Sequence, residues 1–136
     1  MSKVRDIMHI RVPRAQPETT LADLIRLFMR ESVSAVPIVE PGCKLVGVAS
    51  MRDALAAIAE LLQSNPNDTL ATALESLTVS AIMTPAAFVV TPDMPIAEVA
   101  RQLHETGIRT AFVVDHGRLS GVVSAFDILR AVAQPT

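Results

Sequence analysis

The sequence predicts a mixed α/β (α+β) protein made of two βαββα repeats, each a small mixed sheet covered by helices. Three observations predict it. The second half of the chain repeats the first in register, the hydrophobic period changes in the same order in both halves, and a Gly-Val-x-Ser-x-x-Asp run falls at the same point of each.

Displacing the chain by 75 positions puts Val4-Arg5-Asp6-Ile7-Met8 on Val79-Ser80-Ala81-Ile82-Met83 and Gln16-Pro17-Glu18 on Thr91-Pro92-Asp93. Leu21, Ala22, Leu24 and Arg26 then lie over Ile96, Ala97, Val99 and Arg101, and Val36 to Glu40 over Ala111 to Asp115. A slip of one residue follows in a turn, after which Gly47 to Leu55 matches Gly121 to Leu129. Alternating aliphatics recur by chance, but Gly, Ser and Asp rarely recur together at fixed spacing. The repeats are therefore assigned to 1–63 and 79–136, with 64–78 as a linker that carries a short helix.

The elements follow in order. Ile10 to Ala15 is a weak first strand, because Pro13 cannot donate to a central ladder, while Phe88 to Thr91 is its better-formed counterpart. Thr20 to Glu31 has Leu21, Leu24, Ile25, Phe28 and Met29 at helical spacing behind a Thr19 or Thr20 cap. Pro95 to Thr106 is the second copy, with Asp93 or Met94 expected as cap and Gly107 as stop. Ala35 to Val39 and Leu45 to Ala49 are β-branched runs joined through Pro41-Gly42, and Thr110 to Val114 and Leu119 to Val123 repeat that hairpin through His116-Gly117. Ser50 and Ser124 open helices over Met51 to Gln63 and Ala125 to Val132; Ser64-Asn65-Pro66-Asn67-Asp68 breaks the first of these, and Thr69 to Leu77 forms the extra short helix.

Composition narrows the classes. At 136 residues the chain can bury a core without staples. Half the residues are apolar and mean hydropathy is +0.39, yet no apolar run approaches the roughly 18 residues of a membrane span. The amino terminus has no signal-peptide pattern, and the single Cys43 sits in a turn, which together lead us to expect a cytoplasmic protein. A net charge of −2 with dispersed basic residues, and the absence of Trp and Tyr, argue against a nucleic-acid surface. His9, His104 and His116 are scattered without metal-ligand spacing, and there is no phosphate loop or nucleophile elbow, so the expectation is a non-enzyme that requires no cofactor and holds no metal.

The Ala-Val-Pro-Ile-Val-Glu strand at Ala35 to Glu40, with the doubled Gly-Val-x-Ser-x-x-Asp junction, resembles the CBS domain family over nearly the whole chain. The resemblance implies a pseudo-twofold pair of repeats, a Bateman module, with clefts between the repeats that receive AMP, ADP, ATP, S-adenosylmethionine or a related ligand. It also implies a regulatory role toward an unidentified partner protein. Apolar surface left on the helices would favour a homodimer.

Chemistry supports the junction as a ligand site. Unpaired N–H groups and the positive dipole end of a helix attract an anion, and an acid three residues after a serine can accept from ribose hydroxyls. The candidate ligand-binding residues are Ser124, Asp127, Arg109, Thr110 and Ala87 with the second junction, and Ser34, Ser50, Arg52 and Asp53 with the first. Members of the family it resembles often carry a phosphate-facing basic or hydroxyl residue at the place of Arg109, so the resemblance implies Arg109 as the phosphate contact, with Ser34 as its counterpart. The same Ser-x-x-Asp spacing also makes a capping box, a purely structural role compatible with the first.

The chain departs from the family pattern at Phe112, which takes a proline position, and in Met8 to Pro13, which fits the approach to the first strand poorly, whereas Met83-Thr84-Pro85 fits it well. The site expected to be more competent therefore joins Asp127, Ser124 and Arg109 with the backbone of Ala86 to Phe88. The alternative is a ligand-free dimerisation or interaction module whose clefts are vestigial, filled by Phe112 or Phe126.

Overall fold

In the computed structural model, residues 2–64, 70–85 and 88–134 are described. Asn65 to Asp68 of the expected break, Thr69 at the expected start of the extra helix, Ala86 of the expected site backbone and the candidate ligand residue Ala87 lie outside them. The protein is mixed α/β, and its described residues form α1 (Val4–Ile7), α2 (Leu21–Glu31), β1 (Ala35–Glu40), β2 (Lys44–Ser50), α3 (Met51–Ser64), α4 (Leu70–Ser76), a 3-10 turn (Val79–Ala81), β3 (Val89–Val90), α5 (Ile96–Thr106), β4 (Thr110–Asp115), β5 (Arg118–Ser124) and α6 (Ala125–Ala133).

The chain packs as two compact units that do not follow its halves. One comprises Pro13–Ala86, the other Met1–Val12 with Ala87–Thr136. Each unit takes its lead-in turn from the other repeat: Val79, fully buried, completes the core of Leu21, Leu24, Val36, Ile38 and Ala49, while Val4, fully buried, completes that of Val90, Val99, Ala111, Val113 and Val123. Burying an aliphatic side chain of this size contributes about 1.5–3 kcal/mol, so Val4 and Val79 are substantial parts of small cores.

In the Pro13–Ala86 unit, β1 and β2 form an antiparallel hairpin, and Ala15 adds a single parallel bridge to Ile38. The expected strand Ile10 to Ala15 reduces to that bridge, as its proline foreshadowed. Thr20 caps α2 by accepting from the Asp23 amide, and the helix ends at Ser32 with φ 54°. The α4 helix packs on α2, and the lead-in residue Thr84 exchanges both backbone hydrogen bonds with Val48, at 2.8 and 2.9 Å.

The other unit repeats this plan. β4 and β5 form a hairpin, and β3 pairs with β4 in parallel through Val89 and Val90. Both hairpins carry a bulge at equivalent places, after Ile38 and after Val113. The one-residue slip of the repeat has its cause in the turns. His116 and Gly117, with φ 52° and 81°, make a two-residue turn suited to twisted strands, whereas Pro41, Gly42 and Cys43 make a three-residue one. α5 is capped by Pro95, without a side-chain hydrogen bond, rather than by Asp93 or Met94. Asp93 instead pairs with Arg5 and so ties α1 to the approach of α5. Gly107 stops α5 in the left-handed region, as its position implied.

Candidate functional site

Both Ser-x-x-Asp junctions lie where a strand passes directly into a helix. In the Pro13–Ala86 unit, β2 ends at Ser50 and α3 begins at Met51, whose amide donates to the carbonyl of Ser34 at 2.8 Å. In the other, the Ala125 amide donates to the carbonyl of Arg109 at 2.8 Å. Those bonds, with the pairing of Ala35 to Ser50 and of Thr110 to Ser124, bring Ser34, Ser50 and Asp53 to one helix start, and Arg109, Thr110, Ser124 and Asp127 to the other.

Each serine and acid form a capping box. Asp53 Oδ2 accepts from the Ser50 amide and from Ser50 Oγ, both at 2.9 Å, and the Asp53 amide donates to Ser50 Oγ at 3.0 Å. Asp127 Oδ2 accepts from the Ser124 amide at 2.8 Å, and the Asp127 amide donates to Ser124 Oγ at 3.1 Å. The structural role expected of the motif is thus present in both copies.

The two acids differ in their second oxygen. Asp127 is 7% exposed, and its Oδ1 lies 2.8 Å from Nε2 of His9. An ionised carboxylate only accepts, so that contact requires a proton on Nε2. Burial alone would push the Asp127 carboxyl up; the Ser124 amide, the His9 ring and the Ser124 hydroxyl outweigh it and hold the group below the ordinary carboxylate value. Asp53 is half-buried, and among the described residues its Oδ1 has no partner.

The remaining candidates are exposed. Arg52 and Arg109 make no side-chain hydrogen bond or ion pair among the described residues, so both guanidinium groups are available to an anion. Arg109 also rims a groove of about 340 Å³ lined by Leu103, Ile108, Ala125, Ile128 and Leu129. Phe126, at the place of Arg52, is 58% exposed beneath the guanidinium of Arg130, 4.7 Å from its ring centre, while Phe112 is buried in β4.

Thr84, the lead-in residue of the second repeat, bonds to Val48 beside Ser50. The described part of that lead-in therefore lies in the unit of Asp53, although the sequence pattern suggested pairing its continuation with Asp127; Phe88, farther along, packs on the core of Val4, Val90, Val99 and Ile128 in the other unit. His9 was missed as a neighbour of Asp127. Its signal is visible in the repeat, since His9 falls on Thr84, immediately after the matched Met8 and Met83.

The fold is thus a duplicated mixed α/β unit, paired in one chain, with a capped Ser-x-x-Asp turn at each strand-to-helix junction. The chain belongs to the CBS domain family, whose family model matches residues 4–60 and 79–134. Its relatives include the protein MJ1426 of Methanocaldococcus jannaschii, 30% identical over 85% of this chain and 82% of its own length. The chloroplastic CBS domain-containing protein CBSX2 of Arabidopsis thaliana is 28% identical, covering 88% of this chain. The chain spans only 58% of the length of CBSX2, and 41% of MJ1225 of M. jannaschii.

Solved structures agree. CBSX2 in complex with AMP superposes with a TM-score of 0.81 at 31% identity, covering 98% of both chains. The CBS domain pair of MJ0100 in complex with 5'-methylthioadenosine and S-adenosyl-L-methionine gives 0.74 at 25% identity, covering 98% and 97%. The CBS domain of a bacterial CNNM/CorC family Mg2+ transporter in complex with ATP gives 0.74 at 26% identity, covering 97% and 87%.

Proposed function

We propose that this chain is a non-catalytic regulatory module that binds an adenine nucleotide or a related adenosyl ligand and signals its occupancy to a partner protein. The observation that carries the proposal is Oδ1 of Asp53 at a helix start, which has no partner among the described residues, one position after Arg52, whose guanidinium likewise has none among them. A ribose hydroxyl donating to Oδ1 leaves the capping bonds to Oδ2 intact, and the helix terminus favours the phosphate. Ser34 and Ser50 complete this group; Ser124, Asp127, Arg109 and Thr110, with Ala87 outside the described residues, form the second. The adenosyl ligands of CBSX2, MJ0100 and the CNNM/CorC domain support the ligand class.

The proposal extends to a cytoplasmic homodimer in which residues 1–63 and 79–136 act as one module. Among the described residues no helix is long and apolar enough to cross a membrane. Leu55 and Leu62 on α3, and Leu129 and Val132 on α6, are half or more exposed, which supports association between copies. Sedimentation would give twice the monomer mass.

Titration calorimetry with AMP, ADP, ATP and S-adenosylmethionine tests the ligand. Saturable heat with at least one of them, weakened about tenfold or more by Asp53→Ala, is expected. Absence of heat with all four would favour the second reading, an interaction module with vestigial sites. The observation behind that reading is that both motifs already satisfy their own helix starts.

A further inference from the structure

The duplication supplies an internal control on the two acids. Within one unit, His9 exchanges backbone hydrogen bonds with Val122 at 2.8 and 2.9 Å; within the other, Thr84 does the same with Val48 at 2.9 and 2.8 Å. His9 and Thr84 are equivalent in the repeat, as are Val122 and Val48, so the backbones match and only the side chains differ. The Thr84 hydroxyl turns back to the Val48 carbonyl at 3.4 Å and leaves Asp53 alone. The longer imidazole of His9 reaches Asp127 Oδ1 at 2.8 Å.

We infer that His9 is a latch on Asp127: it fills the acceptor position that a ribose hydroxyl would use, so this unit takes a nucleotide only when the ring swings away. The inference rests on the nucleotide reading above and adds to it an order of occupancy, Asp53 before Asp127. Asp127 has no spare oxygen while the latch is closed, because Oδ2 holds the Ser124 amide and Oδ1 holds the ring, with Arg130 a further 3.9 Å contact. The latch can open without disturbing the core, since the His9 side chain is 57% exposed whereas the acid it covers is 7% exposed. A ligand that displaces the ring forfeits one charge-assisted hydrogen bond of the protein, which lowers its affinity for this unit by about three- to tenfold relative to a side chain that cannot reach.

The test uses the full chain in an Asp53→Ala background, so that binding reports on Asp127. AMP, ADP, ATP and S-adenosylmethionine are titrated into Asp53→Ala alone and into Asp53→Ala combined with His9→Thr, which copies the residue of the other unit, or with His9→Ala. Tightening by about threefold or more in both double variants is the expected result. Unchanged or weaker affinity, with wild type still binding, overturns the latch and leaves the nucleotide reading standing. Binding by wild type that vanishes in every Asp53→Ala protein also overturns it, because Asp127 then holds no ligand. Failure of all four compounds on wild type and all variants overturns the nucleotide reading and the latch together. Circular dichroism of each variant establishes that a lost signal is not lost folding.

Discussion

A Cβ built on Gly121 would stand 2.6 Å from the carbonyl oxygen of His9. The glycine of the Gly-Val-x-Ser-x-x-Asp run therefore leaves room for the lead-in segment to bond to the hairpin; Gly47 does the same beneath the Thr84 carbonyl, at 2.9 Å. Gly121→Ala should destabilise the protein by about 1–3 kcal/mol through overpacking. Gly47→Ala should cost less, since its contact to the carbonyl is longer. Urea unfolding of the two variants measures both effects, and a Gly121→Ala protein as stable as wild type would refute the packing role.

Ser32 and Gly107 end α2 and α5 in the same left-handed conformation, with φ 54° and 73°. A side chain there is strained, and glycine is not. Ser32→Gly is accordingly expected to raise stability by about 0.5–1 kcal/mol, the relief of strain exceeding the added freedom of the unfolded chain. Gly107→Ala should lower it by a similar amount. Denaturant midpoints check the opposite signs.

Removal of Ser124 Oγ leaves the Asp127 amide without its capping acceptor. Ser124→Ala should cost about 1 kcal/mol, or roughly 3–5 °C in melting temperature for a chain of this size. Ser124→Asn, which can still cap, should recover most of it. Thermal melts of the two variants decide the matter.

The Asp127 carboxyl lies below its ordinary value, so the folded state releases that proton more readily than the unfolded state. Its contribution to stability is complete above the unfolded carboxylate value of about 4, and is lost as pH falls from there through the folded value. Asp127→Asn should therefore be less stable than wild type near neutrality, with the difference shrinking below about pH 4. Unfolding free energies measured from pH 7 to pH 2.5 would show the curves converging; a constant gap would contradict the assignment.

Much of the fold was legible because its signals are local. The hairpin turns, the Thr20 cap, the Gly107 stop and the helix starts after Ser50 and Ser124 each depend on residues within a few positions, and the structure has them where the pattern put them. The cap of α5 was misread because Asp93, suited to capping by type, is drawn into an ion pair with Arg5 from far away in the chain. The candidate residues were recognisable by type and spacing, but their state of occupation was not. Asp53 and Asp127 are identical in motif, and what separates them is a histidine 118 positions from the second acid.

By itself, then, the sequence determined the duplication, the alternation of strand and helix, and the placing of a serine and an acid at each junction, since those follow from short-range periodicity and turn chemistry. Tertiary structure alone decided that each repeat's lead-in turn completes the other's core, and that one acid is covered while its twin stands open. The physical reason is that buried area and a close backbone approach beneath a glycine select contacts by shape, whatever the distance along the chain.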